Sequence, residues 1–226
     1  MVLVQSGEYL IGMLDPARGT VRSNEPSSHF EKLGAFYIDR TEVTVEQFRK
    51  FDPDYDETPH TGGRECPACP AMGIDWASAG RYCLWAGKRL PTEAEWEAAA
   101  RGQDRTPWPW GAEFDPTRAN LLGERDGFLA AAPVGSFPQG SSPSGVLDMV
   151  GNVWEWVRTP FTPQTPRADS GDRSPLRIGK GGGWTSRSEH ARISFRNIVD
   201  PKIKNPTFGF RCVKPAMGFK KVRPNS

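Results

Sequence analysis

An α+β fold follows from three features of the sequence: two modest helix signals in its first half, short alternating strand patterns, and an unusual supply of tryptophan, glycine and proline. The 226 residues include eight tryptophans, 24 glycines and 21 prolines, with an apolar share of 37% and a charged share of 25%. Large aromatics demand a core, while glycine and proline mark turns and special backbone angles. The helices should therefore sit in a loop-rich β framework. The aromatic residues recur over the whole length, which argues against disorder, and the chain is long enough to bury a sizeable core. No internal repeat divides it, and residues 1–226 read as one domain.

The elements follow in order. Val2, Val4, Tyr9 and Ile11 alternate around Ser6-Gly7, the pattern of a β-hairpin. Residues 14–29 are polar and turn-rich and read as a loop, and Ala35-Phe36-Tyr37-Ile38 reads as a strand. Thr44-Val45-Glu46-Gln47 is a capping box opening a helix that bears Val45, Phe48 and Phe51. Asp75 caps a second helix, whose Trp76, Ala79, Tyr82, Cys83 and Ala86 share one face until Gly87 ends it. After Pro91, Thr92-Glu93-Ala94-Glu95 is another capping box, and its helix carries Trp96, Ala99 and Ala100 up to Gly102. Short strands and long loops run from there to the end. The proline-rich residues 162–177 read as an exposed excursion.

Charge and cysteine usage exclude several function classes. Twenty-nine basic and 27 acidic residues leave a formal charge of +2, which offers no electrostatic case for nucleic acid. The short basic tail (Lys214, Lys220, Lys221, Arg223) reads as a solvated terminus. No apolar run approaches the ~20 residues of a membrane span. The N-terminus leads into a strand pattern rather than a signal peptide, and so immediate a start is compatible with one domain of a longer chain. A zinc site wants two spaced cysteine pairs, or one pair with histidines. Here Cys66 and Cys69 form the one close pair, and His29, His60 and His190 stand isolated, so zinc is not expected. In their Gly/Pro-rich loop Cys66 and Cys69 either close a local disulfide or stay reduced.

Six segments together resemble the sulfatase-modifying-factor family, to which the formylglycine-generating enzyme belongs. They are Gly7–Met13, Tyr37–Thr44, the run Trp85-Ala86-Gly87-Lys88-Arg89-Leu90-Pro91-Thr92-Glu93-Ala94-Glu95-Trp96-Glu97, then Asp148-Met149-Val150-Gly151-Asn152-Val153-Trp154-Glu155-Trp156, Gly181-Gly182-Gly183-Trp184 and Gly209-Phe210-Arg211-Cys212. They stand in the family's order over nearly the whole chain. The resemblance implies a C-type-lectin-like fold with long loops and structural calcium. Calcium takes six to eight oxygens from carboxylates, amides and carbonyls. The family's first site falls on Asp148, Gly151, Val153 and Glu155, and its second on Asn120, Leu121, Asp126 and Phe128. The plainer reading is that these acids cap turns. Cys83 and Cys212 occupy positions that form a disulfide in relatives, and two buried thiols in contact are the other reading.

The resemblance also shows what is missing. In the formylglycine-generating enzyme two cysteines after a Gly-Gly-Ser motif bind copper and engage the substrate thiol. The matching positions here are Ser186 and Ala191, and the motif's serine is Gly183. Soft thiolates suit Cu(I), and neither a hydroxyl nor a methyl group replaces them, so formylglycine synthesis is not expected. Iron-dependent relatives take histidine ligands from a helical domain that these residues do not contain. His190 stands alone, Glu189 beside it points to the opposite face in extended chain, and no phosphate-binding loop is present.

Residues 184–212 then read as the ligand-facing segment, polar and adaptable with scattered aromatic and aliphatic residues. They also resemble the variable region of lectin-fold proteins diversified by retroelements. Trp184 opens the segment, and Thr185, Ser186, Arg187, Ser188, His190, Asn197, Ile198, Asp200, Asn205 and Thr207 are types reachable from an asparagine codon by changing adenines. Glu189, Lys202 and Lys204 are not. An ordinary family loop is the simpler alternative. The expected function is a module binding an unknown protein or small molecule. The alternatives are an oxidase or maturation factor with non-cysteine ligands and a regulatory domain of a larger signalling protein.

Overall fold

The computed structural model describes residues 1–13, 25–123, 127–162 and 176–216. In chain order its regular elements are β1 (Val2–Val4), β2 (Gly7–Ile11), β3 (His29–Leu33), β4 (Phe36–Ile38), α1 (Val45–Arg49), α2 (Trp76–Trp85), α3 (Glu93–Arg101), β5 (Trp154–Pro160), β6 (Arg177–Lys180), β7 (Asn197–Val199), β8 (Phe208–Gly209) and β9 (Val213–Pro215). The strands form a sheet of order β1-β4-β9, a β2-β3 pair, and a sheet of order β7-β6-β5-β8. All pairings are antiparallel except β5 with β8.

The expected N-terminal hairpin does not form. β1 pairs with β4, Val4 opposite Phe36, and β2 pairs with β3, Tyr9 opposite Glu31. The alternation fixed which faces are buried, since Val4, Tyr9 and Ile11 all lie in the core, but partners were decided at long range. Phe36 and Ile38 offer β1 a buried apolar strand, and the short connection at Gln5-Ser6 sends β2 to another sheet. β3 carried no readable strand pattern because it has no buried face, and Phe30 on it is exposed. Most of the supposed excursion at 162–177 lies outside the described residues, though Arg177 itself opens β6.

The helices start where their caps predicted. Thr44 and Thr92 each close a complete capping box, and the Asp75 carboxylate accepts from the Ser78 amide. α1 ends at Arg49, so Phe51 lies beyond it yet still packs on the same aromatic cluster. That cluster joins Phe48, Tyr82 and Phe210, with Tyr82 ring centroids 5.5 Å from Phe48 and 5.4 Å from Phe210. The Cys83–Cys212 disulfide crosses the same core and ties α2 to the segment before β9.

α3 departs from an ordinary amphipathic helix, since every one of its nine residues is buried, three glutamates and an arginine included. The small side chains Ala94, Ala98, Ala99 and Ala100 admit β2, β5 and β6 at close range. The charged residues persist there because each has a partner. Glu97 accepts from Lys180 at 2.8 Å and from the Gly12 amide at 2.8 Å, Glu95 binds Arg89, and Arg101 donates to the Gly12 carbonyl at 3.1 Å.

Candidate functional site

The Asp148–Trp156 stretch forms a buried floor, and Arg211 lies at its centre. The Arg211 guanidinium donates from Nε and Nη2 to the two Glu155 oxygens, 2.7 Å each, and Nη2 also reaches the Leu147 carbonyl at 2.9 Å. Trp96 Nε1 adds a third donor to Glu155 Oε2 at 2.9 Å. Burial alone would lower the guanidinium's pKa, but the Glu155 carboxylate more than offsets it, so the arginine stays charged.

Asn152 knits the floor to four other segments. Its amide donates to the Asn120 carbonyl at 2.9 Å, and its carbonyl accepts from the Trp184 amide at 2.9 Å. Its Oδ1 accepts from the Ala132 amide at 2.8 Å, and its Nδ2 donates to Glu42 Oε1 at 2.9 Å. The chain turns left-handed here, with φ of 56° at Asp148, 79° at Gly151 and 61° at Asn152. Short Asp and Asn side chains tolerate that region. Gly151 has no substitute, because a Cβ there would sit 2.3 Å from the Asn120 carbonyl oxygen. Neither Asn152 nor Glu42 was singled out from sequence. Their only signal was position inside a motif, and the segments they join lie up to 110 residues apart.

The first calcium set partly fits this floor. Asp148 is buried, its Oδ2 accepts from the Gly135 amide at 2.6 Å, and it lies on the same left-handed loop as Gly151 and Val153. Glu155, however, has both oxygens committed to Arg211, so it is not available to an ion as placed. Glu42 Oε2 is buried without a hydrogen-bond partner. Burial pushes the Glu42 carboxyl well up, reinforced by the Asp148 charge, and burial likewise raises Asp148. The floor thus carries carboxylates that Arg211 does not fully compensate. Of the second set, Asp126 lies outside the described residues. Asn120 is buried, with Nδ2 donating to the Ala130 carbonyl at 2.9 Å; Leu121 is buried and Phe128 exposed. Among the described residues no group of three or more His, Cys, Asp or Glu side chains is placed to hold a metal.

The positions matched to the copper-binding cysteines do come together. A Cβ on Gly182 would lie 2.6 Å from the Ala191 Cβ and 3.5 Å from the Ser186 Cβ, so both side chains flank that glycine. Ser186 Oγ accepts from the Gly183 amide at 3.0 Å, and Ala191 packs against a cluster containing Trp108, Leu121 and Val150. Ser186 is thus a hydroxyl turned onto the backbone, and Ala191 a methyl in a core.

The residues expected to face a ligand divide by exposure, around a buried run at Ala191, Ile193, Ser194 and Phe195. Thr185, Arg187 and Asp200 are exposed, while Trp184, Ser188, His190, Asn197, Ile198, Asn205 and Thr207 are half-buried. Ser186, counted from sequence among the ligand-facing residues, faces inward. Asp200 and Asn205 spend one side-chain oxygen on local turns, to the Lys202 and Thr207 amides at 2.8 Å each. His190 lies over Phe195, ring centroids 5.1 Å apart. Asn197 and Ile198 belong to β7, the edge of the four-stranded sheet. The segment is pinned underneath by two ion pairs, Arg192 with Glu25 at 2.7 Å and Arg196 with Glu93 at 2.6 Å.

Residues 1–216 match the sulfatase-modifying factor enzyme 1-like domain. The chain is 36% identical over 172 residues to a protein of Mus musculus named inactive C-alpha-formylglycine-generating enzyme 2, covering 70% of this chain and 53% of that one. It is 33% identical over 245 residues to the serine/threonine-protein kinase pkn1 of Chlamydia pneumoniae, covering 95% of this chain and 38% of the kinase. The chain therefore spans about half the length, or less, of these relatives. Among solved structures, PvdO of Pseudomonas aeruginosa superimposes with a TM-score of 0.76 at 27% identity, covering 95% of this chain and 93% of that one. Treponema denticola variable protein 1 gives 0.75 at 19% identity, covering 96% and 95%, and shares the fold. The α+β, loop-rich architecture is thus the C-type-lectin-like fold, and the chain belongs to the sulfatase-modifying factor domain family, that of the formylglycine-generating enzyme.

Proposed function

We propose that this chain is a non-catalytic binding module, with residues 184–207 as its ligand-facing surface. The observation that carries the reading is the pair Ser186 and Ala191, which stand where the family's copper chemistry needs thiolates and are packed into the floor. The name of the mouse relative, an inactive member, accords with it. Arg187, Asp200, Lys202 and Lys204 present mixed charge, and Trp184 and His190 add aromatic area, a composition suited to adaptable recognition. The test is metal uptake. The purified chain supplied with Cu(I) or Fe(II) should retain neither, whereas the double variant S186C/A191C should take up copper. Stoichiometric copper or iron on the unmodified chain would establish the oxidase reading instead.

Calcium remains part of the proposal as a structural ion. Asp148 with the Gly151 and Val153 carbonyls would hold it, Glu155 joining only by releasing Arg211, and Asn120, Leu121, Asp126 and Phe128 would form the second site. It would order loops that lack ladder hydrogen bonds. Excess chelator should lower the melting temperature, since an ion bound only to the folded state stabilises it by mass action. An unchanged curve would remove both sites. Diversification by a retroelement is decided by the neighbouring DNA: a near-copy of the codons for residues 184–212 beside a reverse transcriptase supports it, and the absence of both leaves a generic binding domain.

A second reading, a regulatory domain of a larger signalling protein, rests on the kinase relative, in which this domain's match covers 38% of the chain. The full gene decides it.

A further inference from the structure

A cavity of about 380 Å³, none of whose lining residues belongs to 184–207, opens beside the Cys66–Cys69 disulfide. Both sulfur-bearing residues line it, together with Arg64, Met72, Phe128 and Leu129. Its exposed lining is mixed, with Leu129 90% exposed and Phe128 39% beside the exposed Arg64 and Glu65. The two cysteines are not equivalent: Cys66 is half-buried, while Cys69 is 4% exposed. The other disulfide, Cys83–Cys212, is wholly buried at both ends.

The turn that carries Cys66 and Cys69 is held by more than its sulfur bond. The Cys69 amide donates to the Cys66 carbonyl at 3.0 Å, and the Cys66 amide reaches Glu57 Oε1 at 3.3 Å. The Pro67 and Cys69 carbonyls accept from the Glu46 and Val45 amides at 3.0 and 2.9 Å, and the Ala68 carbonyl accepts from Val134 at 2.9 Å. These bonds span α1 and the loop at 134, so the turn keeps its position whether or not the sulfurs are joined. A Cys-x-x-Cys pair on a turn held by its backbone, one cysteine partly exposed and the other buried, is an arrangement in which thiol–disulfide exchange can proceed without unfolding.

We propose that Cys66–Cys69 is a redox-active disulfide that exchanges with a thiol-bearing ligand seated in this cavity. The incoming thiolate attacks Cys66 Sγ, the Cys66–Cys69 bond breaks, and the electron pair leaves on Cys69 Sγ, which takes up a proton. A second ligand thiolate displaces Cys66 from the mixed disulfide. Two ligand thiols then become one disulfide, giving up two electrons and two protons, and Cys66 and Cys69 become two thiols. Arg64 and Glu65 line the cavity with opposite charges, and Phe128 and Leu129 add apolar lining.

The test is graded reduction of the whole chain with glutathione, read by alkylation and mass spectrometry beside near-ultraviolet circular dichroism. Cys66 and Cys69 should become alkylated while Cys83–Cys212 stays closed and the dichroism is unchanged, and oxidised glutathione should restore the bond. Given oxidised glutathione, C69A should form a mixed disulfide on Cys66 with release of one glutathione thiol, and C66A, which leaves only the buried Cys69, should form at least tenfold less. A peptide with a central cysteine between apolar residues reacting faster than glutathione assigns the cavity to a protein thiol. The reverse order assigns it to a low-molecular-weight thiol. Reduction of Cys66–Cys69 only together with loss of the folded signal overturns the proposal, as does equal trapping by the two variants.

Discussion

Gly209–Cys212 in the floor and residues 184–207 on the rim follow one another in the chain, yet they are held by different physics. In the floor, Gly209–Cys212 is fully buried, and Arg211 is fixed by the Glu155 carboxylate fork and by backbone carbonyls from distant segments. On the rim, residues such as Asp200 and Asn205 fold only on their immediate neighbours, through turns that reach two residues along the chain. Buried charge without a partner is costly, so floor residues depend on one another, whereas the Asp200 and Asn205 side chains bond within their own turns. A protein arranged in this way tolerates change on the rim and punishes it underneath.

The largest effect should come from the bond that ties floor to core. Closing a loop across a sequence separation of 129 residues, Cys83–Cys212 is worth about 5 kcal/mol in the chain-entropy model. Cys66–Cys69, with a separation of 3, is worth only about 2 kcal/mol in the same model. Denaturant unfolding of C83A/C212A against C66A/C69A should therefore show the first pair far less stable, and equal losses would break the comparison.

Next comes R211M, which leaves Glu155 buried and uncompensated. It should cost about 3–5 kcal/mol in urea unfolding, the range for breaking a buried ion pair from one side. A loss below about 1 kcal/mol would show that the floor does not rest on this residue. N152A removes a side chain bonded to segments around residues 42, 120 and 132, and should cost about 1–3 kcal/mol by leaving the Ala132 amide or Glu42 without a partner.

The seam between floor and rim should respond to acid. Burial alone would raise the Glu25 and Glu93 carboxyls, but Arg192 and Ser194 on Glu25, and Lys180 and Arg196 on Glu93, leave both below the usual carboxylate range. An acid whose folded pKa is lowered contributes stability that is present above its unfolded pKa and lost as pH falls through the folded one. Stability should thus decline below about pH 4.5, and E93Q should make that decline shallower. An identical acid profile in the variant would place the dependence elsewhere.

The smallest effect belongs to the rim itself. R187A and D200A should change stability by no more than about 0.5 kcal/mol, as exposed positions do. If either unfolds the protein, the rim is scaffold and residues 184–207 lose their standing as a binding surface.

The sequence by itself determined the caps of all three helices, the apolar faces of α2 and the strand at Phe36–Ile38, because capping and periodicity act within a few residues. It also determined the family and the identities of Ser186 and Ala191, which need no coordinates. The tertiary structure alone decided that β2 takes β3 rather than β1, that α3 is buried on every side, and that Glu155 is committed to Arg211. It alone revealed Asn152 and Glu42 as joints and Ser186 as an inward-facing residue. The reason is common to all of these. A strand's partner, a charge's counter-charge and a side chain's exposure are set by segments far apart in the chain, whose approach is fixed by the packing of the whole core rather than by local pattern.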